Sequence, residues 1–232
     1  MRGRRTRWIV HAGLALVAAW AVAAYLLIPL VWTEVERDTA HPPRPMLTTT
    51  AQGIPGDPVN VGLVGTKEEV VRAFASISWR AADAITFESS LEIGLSVALD
   101  RPDADAPVST LYYDGRRQDL AFEKEDGRSA SHRHHVRLWR TDEASEDGRP
   151  LWLGSASYDR DAGFSHDTGQ FTHHIAPDVD AERDLVMGAL EAAGLVAARY
   201  AVPGRGATRD GRNGGGDPYF TDGLATVAVL KP

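Results

Sequence analysis

Hydrophobic and polar positions divide the chain into three unlike stretches. From Trp8 to Trp32, 25 residues pass without an Asp, Glu, Lys or Arg. As a helix this run would reach about 37 Å at roughly 1.5 Å per residue, against a hydrocarbon core of about 30 Å, so it predicts one transmembrane helix. Trp8 and Trp32 stand at its ends, where interfacial aromatics are favoured. Residues 33–57 then lose all periodicity. His41-Pro-Pro-Arg-Pro45 and Gly53-Ile-Pro55-Gly-Asp-Pro58 punctuate them, which is the composition of an extended, exposed linker.

From residue 58 onward periodicity returns. Val59 to Val64 is a short apolar run ended by Gly65, the pattern of a buried strand. Thr66-Lys-Glu-Glu69 is a capping box, and Val70, Val71, Phe74 and Ile77 share one face, giving a helix of about ten residues. Thr86 to Asp100 fits two periods. Leu91, Ile93, Leu95, Val97 and Leu99 alternate as a strand would, while Phe87, Leu91, Leu95 and Leu99 make a helical stripe; length and Pro102 favour the helix.

Four runs near residues 119–124, 132–140, 151–159 and 171–175, joined by polar loops, predict an antiparallel meander. Asp178 or Asp180 caps the clearest helix, whose buried stripe is Val186, Ala189, Leu190 and Ala193 and which Gly194 stops. Val196–Val202 and Leu224–Leu230 read as further strands. The predicted fold class is α+β: a mainly antiparallel or mixed sheet with about three packed helices, preceded by one transmembrane helix. The domains read as a basic tail (1–7), the transmembrane helix (8–32), a linker (33–57) and a soluble domain (58–232).

Charge orients this arrangement. Arg2, Arg4, Arg5 and Arg7 precede the apolar run and every acidic residue follows it. The positive-inside rule then predicts a cytoplasmic N-terminus, a single pass through the cell membrane and an extracytoplasmic C-terminal domain, with the bilayer as partner of residues 8–32. A cleaved signal peptide is the competing reading, but its apolar region normally runs about 7–15 residues. Beyond Trp32 the chain carries 21 basic and 32 acidic residues, a net of −11, which repels phosphate backbones and argues against nucleic acid as a partner. The absence of cysteine excludes disulfides, thiolate metal sites and cysteine nucleophiles.

Candidate chemistry concentrates in the meander. Six of the eight histidines fall between His132 and Ile175, including two adjacent pairs. Neighbours on a strand point to opposite faces, so one member of each pair could reach a shared ion. His132, His134, His135, His173 and His174 are thus candidate ligands for a divalent metal such as zinc, with Asp119, Glu123 or Asp159 adding a carboxylate. A metal-bound water would make the domain a phosphoester or ester hydrolase. Arg116, Arg117 and Arg137 are candidates for binding an anion or lipid headgroup, since guanidinium forks suit phosphate. The glycines at 214–216 could present amides to the same anion. A third reading is an interaction module docking a membrane-protein partner through Trp139, Trp152 and Tyr158. No Gly-x-Ser-x-Gly, P-loop or dinucleotide fingerprint occurs, and nothing in the sequence decides whether the chain is an enzyme.

Asp57-Pro-Val-Asn60, Gly115-Arg-Arg-Gln-Asp-Leu-Ala-Phe-Glu123, His134-His-Val-Arg-Leu-Trp139, Thr172-His-His-Ile175, Asp178-Val-Asp-Ala-Glu-Arg-Asp184 and Gly211-Arg-Asn-Gly-Gly-Gly-Asp217 together resemble the LssY C-terminal domain family. The resemblance covers roughly residues 55–231. It implies association with membrane assemblies and hence an accessory or interaction module, but it brings no assigned activity and no catalytic residues. In that family the domain commonly follows DedA-like and PAP2-phosphatase-like membrane regions, whereas this chain has one apolar run ahead of it.

Overall fold

The computed structural model describes residues 2–22, 44–51, 53–82, 86, 88, 110–127, 132–164, 171–205 and 209–232. They fall into two units, residues 1–43 and 44–232.

The first unit is described as one helix, α1 (Arg2–Val22). Its opening turns hold all four N-terminal arginines, so its apolar part begins only at Trp8. No helix among the described residues is long and apolar enough to cross a membrane. Positions 23–32 of the predicted span lie outside the described residues, as does most of 86–100, where only Thr86 and Glu88 are described, both helical.

The second unit is α+β. Its strands are β1 (Arg44–Pro45), β2 (Leu47–Thr49), β3 (Pro55–Pro58), β4 (Val61–Val64), β5 (Arg80–Ala81), β6 (Tyr112–Tyr113), β7 (Arg116–Arg117), β8 (Leu120–Glu125), β9 (Arg133–Ala144), β10 (Pro150–Phe164), β11 (Phe171–Ile175), β12 (Val196–Arg205), β13 (Asp210–Arg212), β14 (Pro218–Phe220) and β15 (Leu224–Leu230). Two helices are described at full length, α2 (Lys67–Ser76) and α3 (Val179–Ala192), besides the helical Thr86 and Glu88. The folded unit therefore opens at Arg44, inside the stretch predicted as linker. Its first three strands are short, and β1 and β3 carry proline, which suits sheet edges where a missing N–H is tolerated.

The main sheet has nine strands in the order β1-β12-β15-β4-β10-β9-β8-β5, with β11 also on β10. β1 runs parallel to β12 and β4 parallel to β15; the other pairs are antiparallel. The predicted meander forms as β8, β9, β10 and β11. β10 is long enough to serve two neighbours along one edge, β4 at Leu151–Gly154 and β11 from Asp159 to Phe164. Asn60 fills the gap between them. Its side chain accepts from the Ala156 amide at 2.8 Å and donates to the carbonyls of Ala156 at 3.0 Å and Val179 at 2.8 Å.

The sheet buries its two faces differently. On one, Leu63, Phe122, Val136, Leu138, Trp152 and Leu230 pack against Val70, Phe74, Val186 and Leu190 of the helices. Phe74 stacks on Phe122 with centroids 4.2 Å apart. The capping box holds α2, and the Asp178 carboxylate accepts from the Ala181 amide to cap α3. The other face lies under a four-stranded sheet, β3-β2-β6-β7, and the β13–β14 hairpin. Half of that layer is apolar, with Trp139, Leu151, Leu153 and Val227 against Leu111 and Tyr113. The other half is the site.

Candidate functional site

Strand alternation builds the site. Arg133, His135 and Arg137 project from β9 on the side away from the helices. Register sets Asp159, Ser157 and Ser155 of β10 opposite them, and Glu123 of β8 opposite His135. All seven are buried, none more than 6% exposed. The covering layer adds Asp57 from β3 and Asn213 from the turn after β13, also buried.

His135 lies between two carboxylates, its Nδ1 at 3.3 Å from Asp159 Oδ2 and its Nε2 at 3.7 Å from Glu123 Oε2. His173 approaches the same Asp159 oxygen through Nδ1 at 3.8 Å, and the two imidazole centroids are 6.5 Å apart. Arg133 donates to His173 Nε2 at 2.9 Å and to Glu123 Oε2 at 3.3 Å. Arg137 donates to Asp57 Oδ2 at 3.3 Å, Ser157 Oγ reaches the same oxygen at 3.4 Å, and Asn213 donates to Asp57 Oδ1 at 3.3 Å.

Burial pushes the Asp57 carboxyl up, partly offset by the Arg137 guanidinium. Burial also acts most strongly on Glu123, but attraction to the nearby His135 ring, helped by the Arg133 guanidinium, wins and holds it below its ordinary value. Burial lowers His173, against the pull of Asp159, so its neutral form is favoured.

Two properties mark this cluster. The first is spacing. Seven of its charged or polar contacts lie at 3.3–3.8 Å, whereas charge-assisted hydrogen bonds close to about 2.7–2.9 Å. The second is polar groups to spare. Arg133 Nε, Arg137 Nε, His135 Nε2, Ser155 Oγ and Asp159 Oδ2, with Tyr219 OH within the influence of the Asp57 charge, are buried with no hydrogen-bond partner among the described residues. Native interiors pair most such groups, so several together in one place single it out.

The other three candidate histidines lie elsewhere. His134 faces the helices, where its Nδ1 donates to Glu182 at 2.9 and 3.1 Å. Burial raises Glu182, partly offset by that bond. His132 lies beside Tyr158, with centroids 6.4 Å apart. His174 donates to Asp217 at 2.8 Å, and its ring folds over Gly163, where an added Cβ would meet Nε2 at 2.8 Å. The five candidate ligands thus divide among three places. Among the described residues no group of three or more His, Asp or Glu side chains could hold a metal ion.

The candidate anion ligands also divide. Arg116 pairs with Asp119 and donates to the Arg140 carbonyl, and Arg117 is exposed, while Arg137 lies in the cluster. The glycine loop turns its amides inward. Those of Gly215 and Asp217 donate to Asn213 Oδ1, and that of Gly216 to the Asn213 carbonyl. Its use is structural, since Asn213 reaches Asp57 and Asp217 holds His174. Trp139 and Trp152 are buried in the two core layers and so present no exposed docking face.

Sequence reasoning missed Asp57, Arg133, Ser155, Ser157 and Asn213 as site residues. The available signal was the run of polar side chains two apart, Arg133-His135-Arg137 and Ser155-Ser157-Asp159, on strands whose alternate positions include Val136, Leu138 and Ala156.

No curated protein and no solved structure matches the chain. Asp57, Glu123, His135 and Arg137, His173, and Asn213 come from separate segments that carried the resemblance, and they meet in this one buried cluster. A family model described as LssY C-terminus matches residues 41–224. The chain belongs to the LssY C-terminus family.

Proposed function

We propose that this chain is a membrane-held accessory domain whose folded unit binds a small anionic group at the Arg133–His135–Arg137 cluster. The observation that carries the binding reading is the imbalance of buried, unpartnered groups. The two guanidinium Nε–H groups can only donate, and the Ser155 and Tyr219 hydroxyls and His135 Nε2 can also donate, against one carboxylate oxygen of Asp159. The acids are otherwise committed, Asp57 to Arg137 and Asn213, Glu123 to Arg133. A group rich in acceptors, such as phosphate or carboxylate, complements that inventory, and a bare cation does not. His173, with 23% of its side chain exposed, is the cluster's edge toward solvent.

Inorganic phosphate is expected to raise the thermal midpoint of the full chain in a saturable way at constant ionic strength, and Arg133→Met is expected to abolish the rise. A shift no larger than chloride produces would contradict the binding reading. Membrane attachment rests on the arginine cluster and the uncharged run from Trp8 to Trp32. It predicts that the chain stays in the membrane pellet through alkaline carbonate extraction, and release into the supernatant would remove that part of the proposal.

A further inference from the structure

Beside the cluster lies an open groove of about 680 Å³, lined by Leu47, Pro55, Pro177, Pro218, Tyr219 and Phe220 together with the three β13 residues, Asp210 to Arg212. Its lining is mostly apolar, and Phe220 stands 48% exposed at its edge. Groove and cluster share their walls. On β3, Pro55 lines the groove and Asp57, two residues on, belongs to the cluster. At the hairpin, Gly211 lines the groove and Asn213, again two residues on, reaches Asp57. Pro218 lines the groove, and the adjacent Asp217 holds His174.

Tyr219 belongs to both. Its ring is part of the groove lining, yet the residue is 97% buried and its hydroxyl has no hydrogen-bond partner among the described residues. Burial, with the Asp57 charge adding to it, pushes that hydroxyl up to about 12, so it stays a proton donor at any physiological pH. Gly211 makes the close packing possible. A Cβ there would stand 2.4 Å from the Tyr219 hydroxyl oxygen.

We infer that the ligand is a single-chain anionic amphiphile: its acidic head reaches the Arg133–His135–Arg137 cluster past Tyr219, and its hydrocarbon chain lies along the groove from Leu47 to Phe220. This rests on the anion reading above and adds the apolar half of the ligand. An acceptor-rich head meets the unpartnered donors, and the chain covers apolar surface that is otherwise open to water. The two halves join at the one residue that has a face in each.

Isothermal titration of the full chain with hexyl phosphate, inorganic phosphate and hexanol tests this. Hexyl phosphate is expected to bind on the order of tenfold or more tightly than inorganic phosphate, the return for partly burying a short alkyl chain. Phe220→Ser, a change at an exposed position, is expected to remove most of that advantage and leave inorganic phosphate binding unchanged. Equal binding of hexyl phosphate and inorganic phosphate would overturn the amphiphile inference while leaving the anion reading intact. Hexanol binding as tightly as hexyl phosphate would overturn it too, by uncoupling groove from cluster. Binding of neither phosphate compound would remove the underlying reading as well.

Discussion

On its helix side the main sheet buries Phe122, Val136 and Leu138 against helix side chains, with Phe74 stacked on Phe122. On its other side the same two strands, with β10, bury Glu123, Arg133, His135, Arg137 and Asp159. On the helix side the contact of His134 with Glu182 is tight, at 2.9 Å. Those opposite are mostly loose, at 3.3–3.8 Å. Buried charge is a poor way to gain stability, because desolvation consumes most of the attraction. One face therefore accounts for why the domain stays folded, and the other keeps groups that folding alone would not select. Each histidine pair is split along the same line. His134 and His174 are each held to one carboxylate at 2.8–2.9 Å, while His135 and His173 share Asp159 at longer range.

The contrast can be broken by substitution. The largest effect belongs to the helix face. Phe122→Ala is expected to cost about 3–5 kcal/mol in chemical denaturation, since the ring is fully buried. A loss under about 1 kcal/mol would show that this face is not the dry core described. Next comes Arg137→Met, expected to cost about 3 kcal/mol by leaving the Asp57 carboxylate buried without its cation. Asp57→Asn combined with Arg137→Met should recover most of that loss while phosphate binding stays absent. A double variant no more stable than the single one would mean that the pair serves the fold and not a ligand.

The smallest effect is one of pH. Burial holds the His173 pKa below its ordinary value, so folding favours the neutral ring. The resulting stability is present above the unfolded value of about 6.5 and is lost as pH falls through it toward the folded value. Asp57 and Glu182 act oppositely, because burial raises both and acidification relieves their cost. The informative quantity is thus the difference between wild type and His173→Asn, which should grow in the variant's favour from pH 7 to pH 5. A flat difference would mean that His173 titrates no differently in the fold than in the unfolded chain.

Much of the fold is legible locally. Thr66 and Glu69 announce the start of α2, Asp178 that of α3, and the alternation along β8 to β11 announces the meander. Residues 44–57 are not legible, because their strands are short and take partners far along the chain, as Arg44 does opposite Gly204. The site divides in the same way. Alternation places Arg133, His135 and Arg137 on one face, but a polar strand face ordinarily reads as a wet one. What buries it is Asp57 and Asn213, which are 156 residues apart, and no local pattern reports that pairing. The histidine doublets drew attention to the right strands. Their roles depend on Glu182, Asp217 and Asp159, which sequence spacing alone does not assign to one ring or another.

The central claim is that His135 and His173 line a ligand site while His134 and His174 are structural. Proton–carbon NMR of the histidine rings during a phosphate titration of the full chain tests it most directly. The resonances of His135 and His173 are expected to move together and saturate, with those of His134 and His174 unmoved. Equal movement of all four, or movement of His134 and His174 alone, would contradict the account.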